Sequence, residues 1–442
     1  MVIVPRPRLL FWTGALALPL AFAAAGPPAS TAALALFGAF LLVAIADGLA
    51  SRRRLEGVEG ELPSLVRLSV DRPGTVEVLV RNGSLRSRRL RVGLAFPPGI
   101  ETPHDDLVAD LPGGTSLSRL VWPCTPRRRG RFKLRGCHLE GTSPLGLWDV
   151  RRPIQREAEL RVYPNLLAGG RGVAALFLRR GTLGVHAQRQ VGKGRDFEKL
   201  REYIPGDSLD DIHWKATAKR GHPVTKVFQI ERTQEVYVVL DASRLSARPS
   251  GNPPRAALER SITAALILAL AAERQGDLFG LVVFSDRVLS FLRARRGASH
   301  FDSCREALYT LAPQAVNPDF EEIATFLRLR LRRRALLLFL TDLDDPVLAE
   351  SFVKGIDVIR RHHLVLAGML RPEGARPLFS DAAVASPDDL YRALAGHIAW
   401  RGLLELGRVL KVRGATLMLL ERETMSADLL TRYVDVKRRQ VL

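Results

Sequence analysis

The chain has 442 residues, 47% of them hydrophobic, which exceeds one typical domain and is enough for sizeable cores. Its 66 Lys and Arg outweigh 46 Asp and Glu, but the net +20 is spread as +2 over 1–60, +7 over 61–165, +6 over 166–232 and +5 over 233–442. No region is a concentrated nucleic-acid face, and phospholipid headgroups rank above nucleic acid as anionic neighbours; three cysteines (Cys124, Cys137, Cys304), odd in number and without CxxC spacing, indicate neither a disulfide framework nor a structural zinc site.

Two apolar runs lie end to end at the N-terminus. Leu9 to Ala25 is followed by Gly26-Pro27-Pro28, and Thr31 to Leu49 comes next with Asp47 as its single charge. Each approaches the roughly 20 residues that span a hydrocarbon core. Arg6 and Arg8 precede the first run and Arg52, Arg53 and Arg54 follow the second, so both flanks face the cytoplasm by the positive-inside rule. The expectation is a transmembrane helical hairpin over 1–55 in the inner (plasma) membrane, with everything after it on the cytoplasmic side. A cleaved signal peptide is the competing reading of Ala21–Ala25, weakened by the second span that follows at once.

From Leu65 the pattern becomes short alternating runs punctuated by Gly and Pro. LVRLSVDRPGTVEVLVRNGS reads as two strands around Asp71-Arg72-Pro73-Gly74, and AELRVYPN (158–165) is a further strand. An antiparallel β-sandwich over 60–165, resembling an immunoglobulin-like module, is the economical expectation. Arg127-Arg128-Arg129-Gly130-Arg131 reads first as a solvated edge that discourages aggregation, and second as a headgroup contact.

Residues 192–220, GKGRDFEKLREYIPGDSLDDIHWKATAKR, carry 13 charges in 29 residues, interleaved with Phe197, Tyr203 and Trp214. Bulky rings among mixed charges suggest an ordered segment wedged between domains, with Tyr203 and Trp214 buried and Arg201, Glu202 and Asp207 paired. Phe197, Leu200 and Ile204 fall at i, i+3, i+7, predicting a short helix that Pro205-Gly206 stops. A second helix is expected from Ser208, with Leu209, Ile212 and Ala216 as its apolar face. His213 has no spaced partner, so a hydrogen-bonding or packing role outranks catalysis. Gly192 and Gly194 lack the GK[ST] and the preceding strand of a phosphate loop, so no nucleotide is expected.

This stretch resembles the signature of the domain of unknown function 58 family of bacterial proteins. The resemblance rests on Gly192 and Gly194, Phe197, Leu200-Arg201-Glu202-Tyr203, Pro205-Gly206-Asp207, Trp214 and the tail Ala216 to Arg220. It continues upstream in Arg129-Gly130 and in Pro144-Leu145-Gly146-Leu147-Trp148. It implies architecture more than activity: a family-signature segment at 166–232, a von Willebrand A-like domain after it, and partnership with MoxR-type AAA ATPases.

The residues after 232 point to the same fold independently. EVYVVLDAS, DLFGLVVFSD, RALLLFLTDLDD and HLVLAGML read as buried strands separated by helical runs, with RVLSFLRARR as an edge strand. Alternating strand and helix at this spacing argues a doubly wound, largely parallel sheet over 233–442. Sites in such sheets lie at the carboxyl ends of strands, where Asp241 with Ser243 and Thr341 with Asp342 fall. Hard oxygen donors suit Mg2+ or Mn2+. In the von Willebrand A metal site, Asp-x-Ser-x-Ser is joined by a Thr and an Asp from other loops. Asp241, Ser243 and Asp342 match; Leu245 stands where the second Ser would be, beside Ser246, and Asn317-Pro318-Asp319 stands in the intervening loop. The alternative is that these polar groups cap strand ends and helix N-termini.

With no Gly-x-Ser-x-Gly, HExxH, Cys–His pairing or P-loop, the sequence supports a non-enzymatic membrane-anchored scaffold or adaptor. An envelope-associated hydrolase using Asp241 and Asp342, or a basic lipid or nucleic-acid binder, are the competing readings.

Overall fold

The computed structural model describes residues 1–22, 27–84, 87–114, 117–166, 191–205, 208–229, 234–250, 255–378, 380 and 386–438. The chain divides into two compact units, Met1–Asn165 and Leu166–Leu442.

The first unit opens with strand β1 (Val2–Pro5), then helices α1 (Pro7–Phe22) and α2 (Pro27–Ser51). Each helix has proline at its first position, where a missing N–H costs nothing. Leu10, Phe11, Trp12 and Leu18 of α1 and Leu34, Leu42, Ile45 and Leu49 of α2 are exposed, an apolar surface that water does not favour. Among the described residues, one stretch is long and apolar enough to cross a membrane: Thr31–Leu55, 25 residues with mean hydropathy 2.2.

Eleven strands follow: β2 (Val58–Glu61), β3 (Leu65–Ser69), β4 (Gly74–Asn82), β5 (Arg88–Leu94), β6 (Ile100–Glu101), β7 (Asp106–Leu111), β8 (Leu117–Pro126), β9 (Gly130–Leu134), β10 (Cys137–Thr142), β11 (Trp148–Ile154) and β12 (Ala158–Tyr163). They pair as β1-β11-β10-β5-β7, β3-β12-β9 and β2-β4-β8-β6. Alternation drives their burial: Val76, Val78 and Val80 of β4 are buried between the more accessible Glu77, Leu79 and Arg81. Trp122 is fully buried in the same core and its indole N–H donates to the His104 carbonyl at 3.1 Å.

The sheets are not wholly antiparallel as expected. β12 runs parallel to β3, with Glu159 opposite Leu65 and Tyr163 opposite Ser69. Local alternation reports strands but not their partners. Two strands separated by some ninety residues are free of the hairpin constraint that enforces antiparallel pairing.

The apolar helices are bonded into this β-rich body at both ends. Before α1, β1 pairs antiparallel with β11, Val2 opposite Arg151 and Pro5 opposite Trp148, and Arg6 meets Asp149 at 3.2 Å. At the end of α2, the Trp148 indole N–H donates to the Ala44 carbonyl at 2.8 Å, and the Leu145 N–H donates to Asp47 Oδ1 at 2.9 Å. Leu9, Phe40, Ala44, Leu147 and Trp148 pack around this junction.

The second unit begins with β13 (Val191–Glu202), a 3-10 turn (Leu209–Asp211), α3 (Trp214–Arg220) and β14 (Val224–Gln229). The helix expected over 197–204 is therefore a strand. β13 and β14 are antiparallel, with Phe197 opposite Phe228 and Glu202 opposite Val224. An i, i+3, i+7 trio in so short a run is compatible with either period, and the β-branched partner Val224-Thr225 supplies a pairing edge that decides it. The second helix starts at Trp214 rather than Ser208. It ends at Gly221, whose φ of 72° needs a residue without a Cβ.

The remainder alternates strand and helix: β15 (Glu235–Asp241), β16 (Pro249–Ser250), β17 (Arg255–Ala256), α4 (Ala257–Arg274), β18 (Leu278–Phe284), β19 (Val288–Arg295), α5 (Ala298–Leu308), α6 (Phe320–Arg330), β20 (Ala335–Leu340), α7 (Pro346–Ile359), β21 (Leu364–Leu370), α8 (Pro387–Val412), β22 (Ala415–Leu420) and α9 (Met425–Arg438). The main sheet has the order β19-β18-β15-β20-β21-β22. Its pairs are parallel except β18–β19, so β19 is an antiparallel edge.

β15 lies inside that sheet and is buried on both faces. Val236, Val238 and Leu240 join a core with Leu258 and Ile262 of α4, Leu308 of α5 and Leu429 of α9. Tyr237 and Val239 point the other way, into a core with Phe320 of α6, Phe352 of α7 and Leu403 of α8. A continuous apolar run is what a strand covered by helices on both faces requires. Its last residue, Asp241, breaks the run.

Candidate functional site

Asp241 closes β15, and only 2% of its surface is exposed. Its Oδ1 accepts the Ser243 N–H at 2.7 Å and its Oδ2 accepts the Thr341 hydroxyl at 2.6 Å. Burial pushes its pKa up. The hydrogen bonds from Thr341 and Ser243 oppose that shift, and the negative charge of Asp342 adds to it.

Three loops meet around this carboxylate. The first, after β15, is a 3-10 turn over Arg244–Ala247, capped by the Ser243 side chain, which accepts the Leu245 N–H at 3.3 Å. The second reaches β15 from the α5–α6 connection: the Gln314 N–H donates to the Ala242 carbonyl at 2.7 Å, and the Arg244 N–H to Val316 at 2.9 Å. The third follows β20. There Asp342 Oδ1 accepts the Asp344 N–H at 3.0 Å, and Asp345 caps α7 through the N–H groups of Val347 and Leu348. Parallel strands end on the same edge of a sheet, which is why residues 100 positions apart converge here.

Between the first and third of these loops and the helices α4 and α9 is a cavity of about 40 Å³, lined by Asp241, Ser246, Ser261, Thr341, Asp342 and Met425 among others. It is roomy enough for water, which needs roughly 10–15 Å³. Asp342 is also paired with a cation. Arg248 Nη1 lies 2.7 Å from Asp342 Oδ2 and 3.8 Å from Asp344 Oδ2. Burial and the neighbouring Asp342 charge raise the pKa of Asp344, with Arg248 opposing.

The structure thus brings Asp241, Ser243, Thr341 and Asp342 to one strand-end cluster. The other positions differ in kind. Leu245, buried at 2%, is an apolar filler where a second hydroxyl ligand would sit, and the Ser246 hydroxyl donates to the Ser243 carbonyl at 2.8 Å. Asp319 caps α6, accepting the N–H groups of Glu321 and Glu322 at 3.0 and 2.9 Å. Among the described residues no three His, Cys, Asp or Glu side chains are grouped as a metal-holding set. As folded, the donor set does not fit a divalent cation. One of its two carboxylates, Asp342, is already held by the Arg248 guanidinium, and Leu245 stands where the pattern has a second hydroxyl.

Arg248 and Asp344 escape a reading of the sequence. Nothing in SRLSARPS marks Arg248, and Asp344 is one of three acids after Thr341. Only the fold shows that they meet.

The signature segment is arranged differently from expectation. Trp214 is 70% exposed, where burial was expected, and Tyr203 is half-buried. α3 is a short helix in the connection between β13 and β14, and its first residue is exposed while Ile212, two positions earlier, is buried. Leu209, expected on the apolar face, is also exposed. Glu202 meets His222 at 3.5 Å, and Arg201 donates to the Glu202 carbonyl at 3.3 Å. Gly192, Gly194, Phe197 and Leu200 are strand residues of β13, and Pro205 follows it. Gly206 and Asp207 lie outside the described residues. His213 has the expected hydrogen-bonding role: its Nδ1 accepts the Ala216 N–H at 3.0 Å and caps α3.

Residues 199–378, which include the end of β13 and the whole strand-end cluster, match the family model described as "Protein of unknown function DUF58". The uncharacterized protein Rv1480 of Mycobacterium tuberculosis is 24% identical over 278 residues, covering 59% of this chain and 84% of that protein. Among solved structures, an aerotolerance-related membrane protein from Bacteroides fragilis is similar over 46% of this chain and 98% of its own, at 14% identity and a TM-score of 0.30. The VWA domain of SpRpn10 is similar over 45% of this chain and 95% of its own, at 12% identity and a TM-score of 0.27.

Proposed function

We propose that this protein is a membrane-anchored, non-enzymatic adaptor that docks a protein partner on the strand-end face of its α/β unit. The observation that carries the reading is the bonding of three loops around the end of β15, two of them to Asp241 itself. Hydrogen bonds from Ser243 and Thr341, and the backbone bond from Gln314 to Ala242, fix a loop platform of mixed charge at the carboxyl edge of a doubly wound sheet. Loops held rigid by a scaffold are the usual place for recognition. The partner class implied by the family resemblance is a MoxR-type AAA ATPase.

The anchor in this reading is a hairpin of α1 and α2. Because β1 and the end of α2 are both bonded to the β10–β11 region, a chain that crosses a bilayer through α2 must return through α1. Arg6, Arg8 and Arg52 to Arg54 flank the two helices at that junction and orient it to the cytoplasm.

The test is affinity purification of the full chain from gently solubilised membranes, with bound proteins identified by mass spectrometry. The wild type is expected to retain an AAA ATPase, and charge reversal at Arg244 and Asp344 on the platform to release it. Equal retention by the variant would refute the strand-end face as the docking surface.

A further inference from the structure

The strand-end cluster has the carboxylates of a cation site but a different source of positive charge. Asp241, Asp342, Asp344 and Asp345 lie within five residues of the ends of β15 and β20. The negative charges of Asp342 and Asp345 bear on Asp344, and that of Asp342 on Asp241, so a cation beside Asp342 and Asp344 relieves repulsion. Arg248 is placed to be that cation: its guanidinium reaches Asp342 at 2.7 Å and Asp344 at 3.8 Å.

Its backbone fixes the placement. The Arg248 N–H donates to the Leu245 carbonyl at 3.2 Å, and its carbonyl accepts the Ala257 N–H at 3.0 Å, tying it between the 3-10 turn and the start of α4. Two further substitutions suit a guanidinium better than a metal. Leu245 removes a hydroxyl ligand, and the Ser246 hydroxyl is spent on the Ser243 carbonyl. Mg2+ and Mn2+ need a shell of oxygens at close range, whereas a guanidinium needs only carboxylates within hydrogen-bond reach.

We propose that Arg248 is a built-in cation that takes the place of a divalent ion at the end of β15 and β20, so that the strand-end face is assembled without metal. Removing its charge exposes Asp342 and Asp344 beside Asp241 and Thr341, and creates a divalent-cation site that the wild type lacks.

The experiment is Mn2+ titration of the detergent-solubilised full chain, read by electron paramagnetic resonance of free Mn2+ and by thermal melting. The wild type is expected to take up no Mn2+ at sub-millimolar concentration. R248A, and R248Q with its longer stem retained, are expected to melt lower than the wild type without metal. Both should bind Mn2+ at least tenfold more tightly and recover their melting temperature with it, and R248A/D342N should lose that gain. Wild-type Mn2+ binding as tight as that of R248A and R248Q, or a gain that survives D342N, overturns the proposal.

Discussion

The Thr341 hydroxyl donates to Asp241 Oδ2 at 2.6 Å and thereby joins the ends of two neighbouring parallel strands. Both residues are buried, so removing the hydroxyl leaves a buried carboxylate oxygen short of its donor. Thr341→Val keeps the shape and removes the hydroxyl. It is expected to destabilise the α/β unit by about 1–3 kcal/mol, the cost of an unsatisfied buried acceptor. Thr341→Ser should recover most of the loss in a urea titration. Equal stability of the valine variant and the wild type would show that the bond is not needed to hold the strand ends.

His363, just before β21, gives the fold a pH dependence of its own. It is 5% exposed, its Nδ1 has no hydrogen-bond partner, and burial together with the adjacent His362 lowers its pKa to about 4. In the unfolded chain it titrates near 6.5. Between those values the unfolded chain binds the proton and the folded chain does not, so stability rises with pH across the window. The contribution is fully present above about pH 6.5 and is lost as pH falls towards 4. Denaturant midpoints measured at pH 7 and pH 5 should differ for the wild type and converge in His363→Phe. A parallel decline in both proteins would assign the effect elsewhere.

At the opposite edge of the sheet, Asp277 is 1% exposed and is held by the Tyr433 hydroxyl and by Lys437 Nζ, the latter at 2.8 Å. These two residues sit one turn apart on α9, so a single carboxylate fastens the last helix to the start of β18. Tyr433→Phe and Lys437→Met each leave Asp277 short of a donor. Their double-mutant cycle should give a coupling of about 0.5–3 kcal/mol in equilibrium unfolding. Strict additivity would mean that Asp277 does not couple them.

The α/β unit was the most legible part of the sequence. EVYVVLD and ALLLFL are strands buried on both faces, so their apolar runs carry the signal without any need for alternation. RVLSFLRARR reads as an edge because Leu289 and Phe291 alternate with polar positions, and β19 is the antiparallel edge. Residues 197–204 were less legible, because strand pairing is a long-range fact: β13 exists through β14, more than twenty residues on. Trp214 misled for a related reason, since a large ring argues for burial only if the chain brings a surface to cover it. Asp241, Ser243, Thr341 and Asp342 could be placed from strand-end position alone. Arg248 could not, since its role depends on where the turn after β15 aims a flexible side chain.

The pairing of β1 with β11 imposes an order on biogenesis. Val2 to Pro5 leave the ribosome well before their hydrogen-bonding partners, Trp148 to Arg151, which emerge nearly one hundred and fifty residues later. In the interval α1 and α2 are already made, so a bilayer can take up the apolar helices while the β-rich body is still incomplete. The edge of β11 is then closed by a segment synthesised long before it. Because β1 leads directly into α1, a chain in which α1 is misplaced keeps the β11 edge open to foreign strands.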